Sequence, residues 1–261
     1  MYGASHVPLL EARHIVQVYR GDDGRALLAL EDVSLHVAAG AFVSLIGPSG
    51  SGKSTLLNIL AGLDSPSTGE VWYADRLTTP RERLGQIGLM PQRDLLLPWR
   101  TALENATAGL EVHGVPRHAA REQAMTLFAR FGLSSFAGTY PYALSGGMRQ
   151  RVALVRSALA AGPVLLLDEP FGALDALTRV EMHRWLLEVW QSLAKTIVLV
   201  THDVNEALIL ADRVVVLSAR PGRIAGSLEI TLPRPRDTAV QASPEFGVLR
   251  RQLLDMLEVH L

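Results

Sequence analysis

The feature that most narrows the fold is a set of short, almost wholly apolar runs: AFVSLIG (41–47), VLLLD (164–168), TIVLV (196–200) and RVVVL (213–217). A strand with one wet face alternates polar and apolar residues. A continuous apolar run instead suits a strand covered on both faces, as in a parallel sheet. Helical stretches follow the first three runs, over 51–61, 176–193 and 204–211. That alternation predicts an α/β fold with a largely parallel sheet and helices on its faces. Upstream, the chain reads as short strands. VSLHV (33–37) alternates like a half-buried strand, Ala39-Gly40 turns the chain, and Thr68-Gly69-Glu70 opens a further extended stretch, VWYADR.

A short buried strand is expected over 86–90, closed by Pro91, and the character then changes. Helical periodicity covers 102–110 and 116–131, separated by Gly114 and with Pro116 at the second start, where a missing N–H is no loss. Strand signal is weak until Ala143. The chain therefore divides into an α/β core, 1–92 with 161–261, and a mostly helical subdomain, 93–160. Pro221-Gly222, Pro233 and Pro235 mark turns in the tail, and Ser243 with Pro244 caps a last helix running to about Glu258.

At 261 residues the chain can bury a core without staples, and with no cysteine it has neither disulfides nor thiolate chemistry. Lys+Arg 25 against Asp+Glu 26 leaves a net charge of -1, and the arginines are scattered, which argues against nucleic acid as a partner. Charged residues make up 20% and apolar ones 48%, a balance suited to a chain that works against another protein. No apolar run approaches the roughly twenty residues a membrane span needs. The start, MYGASHVPLLEARHI, lacks the pattern of a secretory signal, and none is expected. Only Lys53 and Lys195 are lysines, and Lys53 directly follows a glycine-rich run.

That run, GPSGSGKST, comprises Gly47, Pro48, Ser49, Gly50, Ser51, Gly52, Lys53, Ser54 and Thr55 and fits G-x-x-x-x-G-K-[ST] between a strand and a helix. Its glycines let backbone N–H groups converge, and the helix start adds partial positive charge, which together cradle a phosphate chain. Lys53 is expected to reach the β- and γ-phosphates and Ser54 to ligate Mg²⁺, which points to ATP.

LLLDEP puts Asp168 and Glu169 at the carboxyl end of a buried strand, where open parallel sheets bind ligands. Paired carboxylates there need positive charge nearby. Asp168 is expected beside Mg²⁺, and Glu169 is the candidate base for an attacking water. His202, at the end of TIVLVTHD, reaches the same rim and could contact the γ-phosphate or hold the water.

LSGGMRQR (144–151) precedes an apolar-periodic helix, with Ser145 as its cap and Gly146 and Gly147 permitting close approach. With GPSGSGKST before it and LLLDEP after it, this segment is similar to the signature of ABC transporter ATP-binding subunits, a resemblance covering nearly the whole chain. It implies a P-loop NTPase core with N-terminal antiparallel strands and an inserted helical subdomain. It further implies that Ser145, Gly146 and Gly147 meet the γ-phosphate held by a second copy of the chain. Gln92, in MPQRDLLLPW, resembles the glutamine that links Mg²⁺ and the attacking water to the helical subdomain. Asp175, in FGALD, resembles an aspartate at the dimer seam, and Tyr19 the aromatic that stacks on adenine.

QRDLLLPWRTALENA, SARPGRIAGSLEI and PRPRD look like segments of importer ATPases for nitrate, sulfonates, taurine and related compounds. The family implies a peripheral subunit on the cytoplasmic face of the inner membrane. A transmembrane permease would dock near 93–100, and a solute-binding protein would act indirectly. An exposed Leu-Leu-Leu-Pro-Trp surface agrees with a docked partner. The other reading is an ATP-driven switch of a soluble, non-transport protein. Against it stand the 53 residues from Gln92 to Ser145, too few for a long coiled-coil insertion, and the presence of one such head.

Overall fold

The computed structural model describes residues 8–21, 24–160, 162–172 and 174–259. Residues 1–7, on which the expectation about a signal segment partly rests, lie outside them. Two compact units are present, 1–84 together with 194–261, and 85–193.

The first unit opens with β1 (Pro8–Arg20), β2 (Ala26–Ala38), β3 (Phe42–Ile46), α1 (Lys53–Ala61), β4 (Thr68–Tyr73), β5 (Arg76–Leu77) and α2 (Pro80–Arg83). The second contains β6 (Ile87–Met90), α3 (Ala102–Val112), α4 (Arg117–Arg130), α5 (Gly146–Ala160), β7 (Val164–Asp168) and α6 (Ala176–Ser192). The chain then returns to the first unit with β8 (Thr196–Val200), α7 (Val204–Leu210), β9 (Arg213–Leu217), β10 (Ile224–Glu229), α8 (Thr238–Gln241) and α9 (Pro244–Glu258).

In the first unit, β2, β1, β4 and β5 lie side by side as an antiparallel sheet. Beside it, β3 pairs in parallel with β8 on one edge and β9 on the other, and β10 closes the row antiparallel to β9. In the second unit β6 and β7 pair in parallel. The apolar runs occupy the parallel strands, and every residue of β3, β7 and β8 is buried. Parallel strands end with their carboxyl termini on one edge, so β3 delivers Gly47 and β8 delivers His202 to the same rim of the first unit.

The N-terminal strands are longer than the sequence pattern suggests. Both β1 and β2 run 13 residues. His14 and Asp32 each take a left-handed backbone, φ 52, where the pairing register shifts, and Gly69 of β4 packs against the His14 carbonyl. A bulge resets which face each side chain meets, so the two-residue period that reveals a strand is broken part-way along.

Polar caps define the helix starts. Thr101 and Glu104 form a reciprocal capping box on α3, and Asp203 accepts from Asn205 N and Glu206 N at 2.8 and 3.2 Å to open α7. Ser243 accepts from Phe246 N at 3.2 Å with Pro244 in the first turn of α9, as the sequence predicts.

The tail segment holding Arg234 and Arg236 is anchored inward. Arg236 is only 4% exposed, and its guanidinium donates to the carbonyls of Leu208 (2.7 Å), Ala211, Ile230 (3.2 Å) and Leu232 (3.2 Å). Burial, and secondarily the neighbouring Arg234 charge, pushes its pKa down to about 10, so it remains a cation at neutral pH. It caps the carboxyl end of α7 by charge and hydrogen bond together. Arg234 contacts Asp212 and the Leu210 carbonyl, and Asp212 accepts from Phe42 N at 2.9 Å, at the first residue of β3. Replacing Arg236 with Met strands several buried carbonyls, and the expected loss is about 2–3 kcal/mol in urea unfolding. An unchanged midpoint would show that water satisfies those carbonyls equally well.

Candidate functional site

The loop between β3 and α1 is shaped by glycine. Gly50 and Gly52 have φ of 79 and 86, and Gly52 caps α1 in the left-handed conformation. A Cβ on Gly47 would lie 2.6 Å from the Leu217 carbonyl oxygen, and one on Gly52 would lie 2.5 Å from Leu30 Cδ2. The loop thus rests directly on β9 and β2.

Lys53 is 7% exposed, and its ammonium donates to the carbonyls of Gly47 (2.9 Å) and Pro48 (2.8 Å) and to Ser51 Oγ (3.1 Å). A buried ammonium needs such partners, and phosphate oxygens are equivalent but charged acceptors. Ser51 is fully buried beneath the loop, whereas Ser54 is exposed on the first turn of α1.

Tyr19 lies near the end of β1, 37% exposed, with its hydroxyl donating to Asp64 Oδ2 at 2.9 Å. Burial is the main reason the phenol's pKa is raised, so it stays neutral. Asp64 carries no motif, and the sequence reading missed it. His202 follows β8 and is exposed on a tight bend, where Asp203 N donates to Thr201 Oγ1 at 3.0 Å and Thr201 N to the Leu45 carbonyl at 3.2 Å.

The second unit assembles its own part. Asp168 ends β7 and is almost buried, and Glu169 follows with φ 46, a left-handed conformation that a non-glycine residue adopts only when its surroundings hold it there. Gln92 Nε2 donates to Glu169 Oε2 at 3.0 Å, which joins two residues 77 positions apart in the chain. Asp175 caps α6, accepting from Thr178 N at 3.0 Å and Thr178 Oγ1 at 2.6 Å, and these bonds lower its pKa.

Ser145 Oγ accepts from Met148 N at 3.2 Å and so caps α5 as expected. A Cβ on Gly146 would meet only Arg149 Nη2, at 3.9 Å. Nothing in this chain's own packing requires a glycine at that position. Downstream of Gln92, Leu95 and Trp99 are 60% and 71% exposed, whereas Leu96 and Leu97 are half-buried. The loop is rigid: Arg149 pairs with Asp94 at 3.0 Å, Arg156 donates to the carbonyls of Asp94 (2.6 Å) and Leu95 (2.7 Å), and Asn105 brackets Leu97.

The oxygen donors Ser54 and Asp168 suit a hard divalent cation. Among the described residues no group of three or more His, Asp or Glu side chains could hold a metal ion.

A phosphate-cradling loop on a parallel α/β sheet, with acidic and amide side chains at a strand end, defines a P-loop nucleotide-hydrolysing protein. The ABC transporter family model matches residues 30–172. The aliphatic sulfonates import ATP-binding protein of Agrobacterium fabrum is 47% identical over 229 residues, 87% of this chain and 78% of that one. The nitrate import ATP-binding protein of Synechocystis is 41% identical over 244 residues, 91% of this chain and 90% of that one. A solved ATP-binding cassette, dimeric in a post-hydrolysis state with ADP and Pi, superposes with TM-score 0.76 at 32% identity, covering 86% of this chain and 100% of that one. The chain belongs to the ABC transporter ATP-binding family and is an ATPase.

The Tyr19 geometry separates ring from hydroxyl. Tyr19→Phe is expected to hold ATP within about twofold of the parent, and Tyr19→Ala to weaken it by about tenfold, about 1.4 kcal/mol of lost stacking. Equal losses in a fluorescent-nucleotide titration would assign the effect to the Asp64 hydrogen bond.

Proposed function

We propose that this ATPase energises import of a small oxyanionic solute, of the aliphatic sulfonate, taurine or nitrate type, through a membrane permease. Relatives with those transport roles, aligned over most of the chain, support the solute class. ATP is held by Gly47–Thr55 of one copy, with Tyr19 against the adenine, and Ser145, Gly146 and Gly147 of a second copy close over the γ-phosphate. The solved dimer of a similar cassette and the uncrowded Gly146 support that arrangement. The observation that carries the hydrolytic role is the Gln92–Glu169 hydrogen bond at the end of a buried strand.

Glu169 takes a proton from water as the water attacks the γ-phosphorus in line, and His202 orients that water or the phosphate oxygen. Lys53 and the loop amides neutralise charge on the leaving phosphates. Ser54, Asp168 and Gln92 would hold Mg²⁺, which when bound screens the β- and γ-oxygens. Asp175, already rigid as a helix cap, stands at the seam between copies.

Gln92 links the attacking water and Mg²⁺ to the segment 93–100. Leu95 and Trp99 are the anchors for the permease. Exposed side chains of that size on a loop pinned by Arg149, Arg156 and Asn105 support a protein partner. Among the described residues no helix is long and apolar enough to cross a membrane, so the attachment we propose is peripheral, on the cytoplasmic face of the inner membrane, with a solute-binding protein acting only through the permease.

Glu169→Gln is expected to keep ATP affinity, lower the hydrolysis rate at least about a hundredfold and accumulate as an ATP-bound dimer in size exclusion. Hydrolysis at the parental rate would remove Glu169 from the role. A Leu95→Ala, Trp99→Ala double variant is expected to hydrolyse ATP normally yet fail to co-purify with its permease. Retained co-purification would place the docking surface elsewhere.

A further inference from the structure

The segment SARPGRI has no part in the scheme above, although it touches the phosphate loop. Residues 218–223 form a turn after β9 closed by its own hydrogen bonds. Ser218 Oγ donates towards the Pro221 carbonyl at 3.1 Å and accepts from Arg223 N at 3.0 Å, and Ser218 N donates to the Arg223 carbonyl at 2.9 Å. The turn is also bonded to β2, with Gly222 N donating to the Ala29 carbonyl and Glu31 N to the Gly222 carbonyl, both at 2.9 Å. Gly222 passes so close to the phosphate loop that a Cβ there would lie 2.0 Å from the Ser51 carbonyl oxygen. The turn and the loop are therefore fixed against one another by backbone.

Two arginines project from this turn and differ in what they meet. Arg223 pairs with Glu31 at 2.7 Å. Arg220 is exposed and has no hydrogen-bond or ion-pair partner among the described residues. Its guanidinium lies against the tip of the phosphate loop, with Nη2 3.2 Å from where a Cβ on Gly50 would sit. Gly50 thus gives the loop its positive φ and also the room for this side chain. An unpaired cation held against a loop whose amides await phosphate has an evident counter-charge in the nucleotide.

We infer that Arg220 is a nucleotide-binding residue, a second cation beside Lys53 that contacts the phosphate chain of ATP from the outer side of the loop. The inference rests on the phosphate-cradle reading of Gly47–Thr55. Lys53 is buried and acts at short range. Arg220 is at the surface, so its contribution is screened by salt, and its planar fork can bridge two phosphate oxygens.

The test is MgATP affinity of the full chain, measured by titration calorimetry at low and at physiological salt, for the parent, Arg220→Gln and Arg220→Lys. The inference predicts that Arg220→Gln weakens MgATP about tenfold at low salt, flattens the salt dependence and leaves the affinity for adenosine unchanged. Arg220→Lys, which keeps the charge without the fork, should fall between the two. Parental affinity in Arg220→Gln would overturn the inference while leaving the cradle reading intact. If Arg220→Gln bound MgATP normally but stopped the Glu169→Gln variant from pairing, the arginine would act on the second copy instead, and the inference would again fail. Failure of the parent protein itself to bind MgATP would overturn the cradle reading and this inference with it.

Discussion

The site depends on backbone-to-backbone contact beneath the phosphate loop. Gly47 lies against the Leu217 carbonyl, Gly52 against Leu30 and the Ala29 carbonyl, and Gly222 against the Ser51 carbonyl. Each approach is too close for a side chain, so the loop is shaped by two segments far from it in sequence, β2 and the end of β9 with its turn. Such contact makes the loop stiff without any help from a ligand. A preformed ring of amides binds phosphate without first paying to order itself.

Stiffness at the rim is matched by anchorage at the opposite edge. Asp212 ties the beginning of β3 to Arg234, and Arg236 gathers the last carbonyls of α7. The strand that carries Gly47 and the helix that follows His202 are thereby fastened by one short tail segment. In the second unit the equivalent role falls to polar side chains around Asp94, Arg149, Arg156 and Asn105, which fix the loop that presents Leu95 and Trp99. Function is placed on loops, and each loop is immobilised by groups that take no part in the chemistry.

Much of this was legible in the sequence, for identifiable reasons. The buried strands declare themselves as continuous apolar runs, two helices by serine caps at Ser145 and Ser243, and the phosphate loop by glycines that only a tight, close-packed turn requires, whereas the caps at Thr101, Asp175 and Asp203 went unread. What stayed hidden lacked a period or a residue-type signal. Bulges at His14 and Asp32 break the alternation of β1 and β2, and Gly226 with a half-polar face conceals the edge strand β10. A buried arginine is spelled like an exposed one, so PRPRD read as a turn and gave no sign that Arg236 is a helix cap. Asp64, which orients Tyr19, carries no motif, and the Gln92–Glu169 bond joins segments whose proximity only the fold creates.

The central claim is that the loop amides and the Lys53 ammonium recognise a polyphosphate rather than a base or a single phosphate. Calorimetric titration of the unmodified protein with ATP, ADP and AMP in the presence of Mg²⁺ tests it most directly. The account predicts ATP and ADP affinities within about tenfold of one another and AMP weaker by about a hundredfold or more, since AMP lacks the phosphates that loop and lysine would hold. AMP binding as tightly as ATP would contradict it.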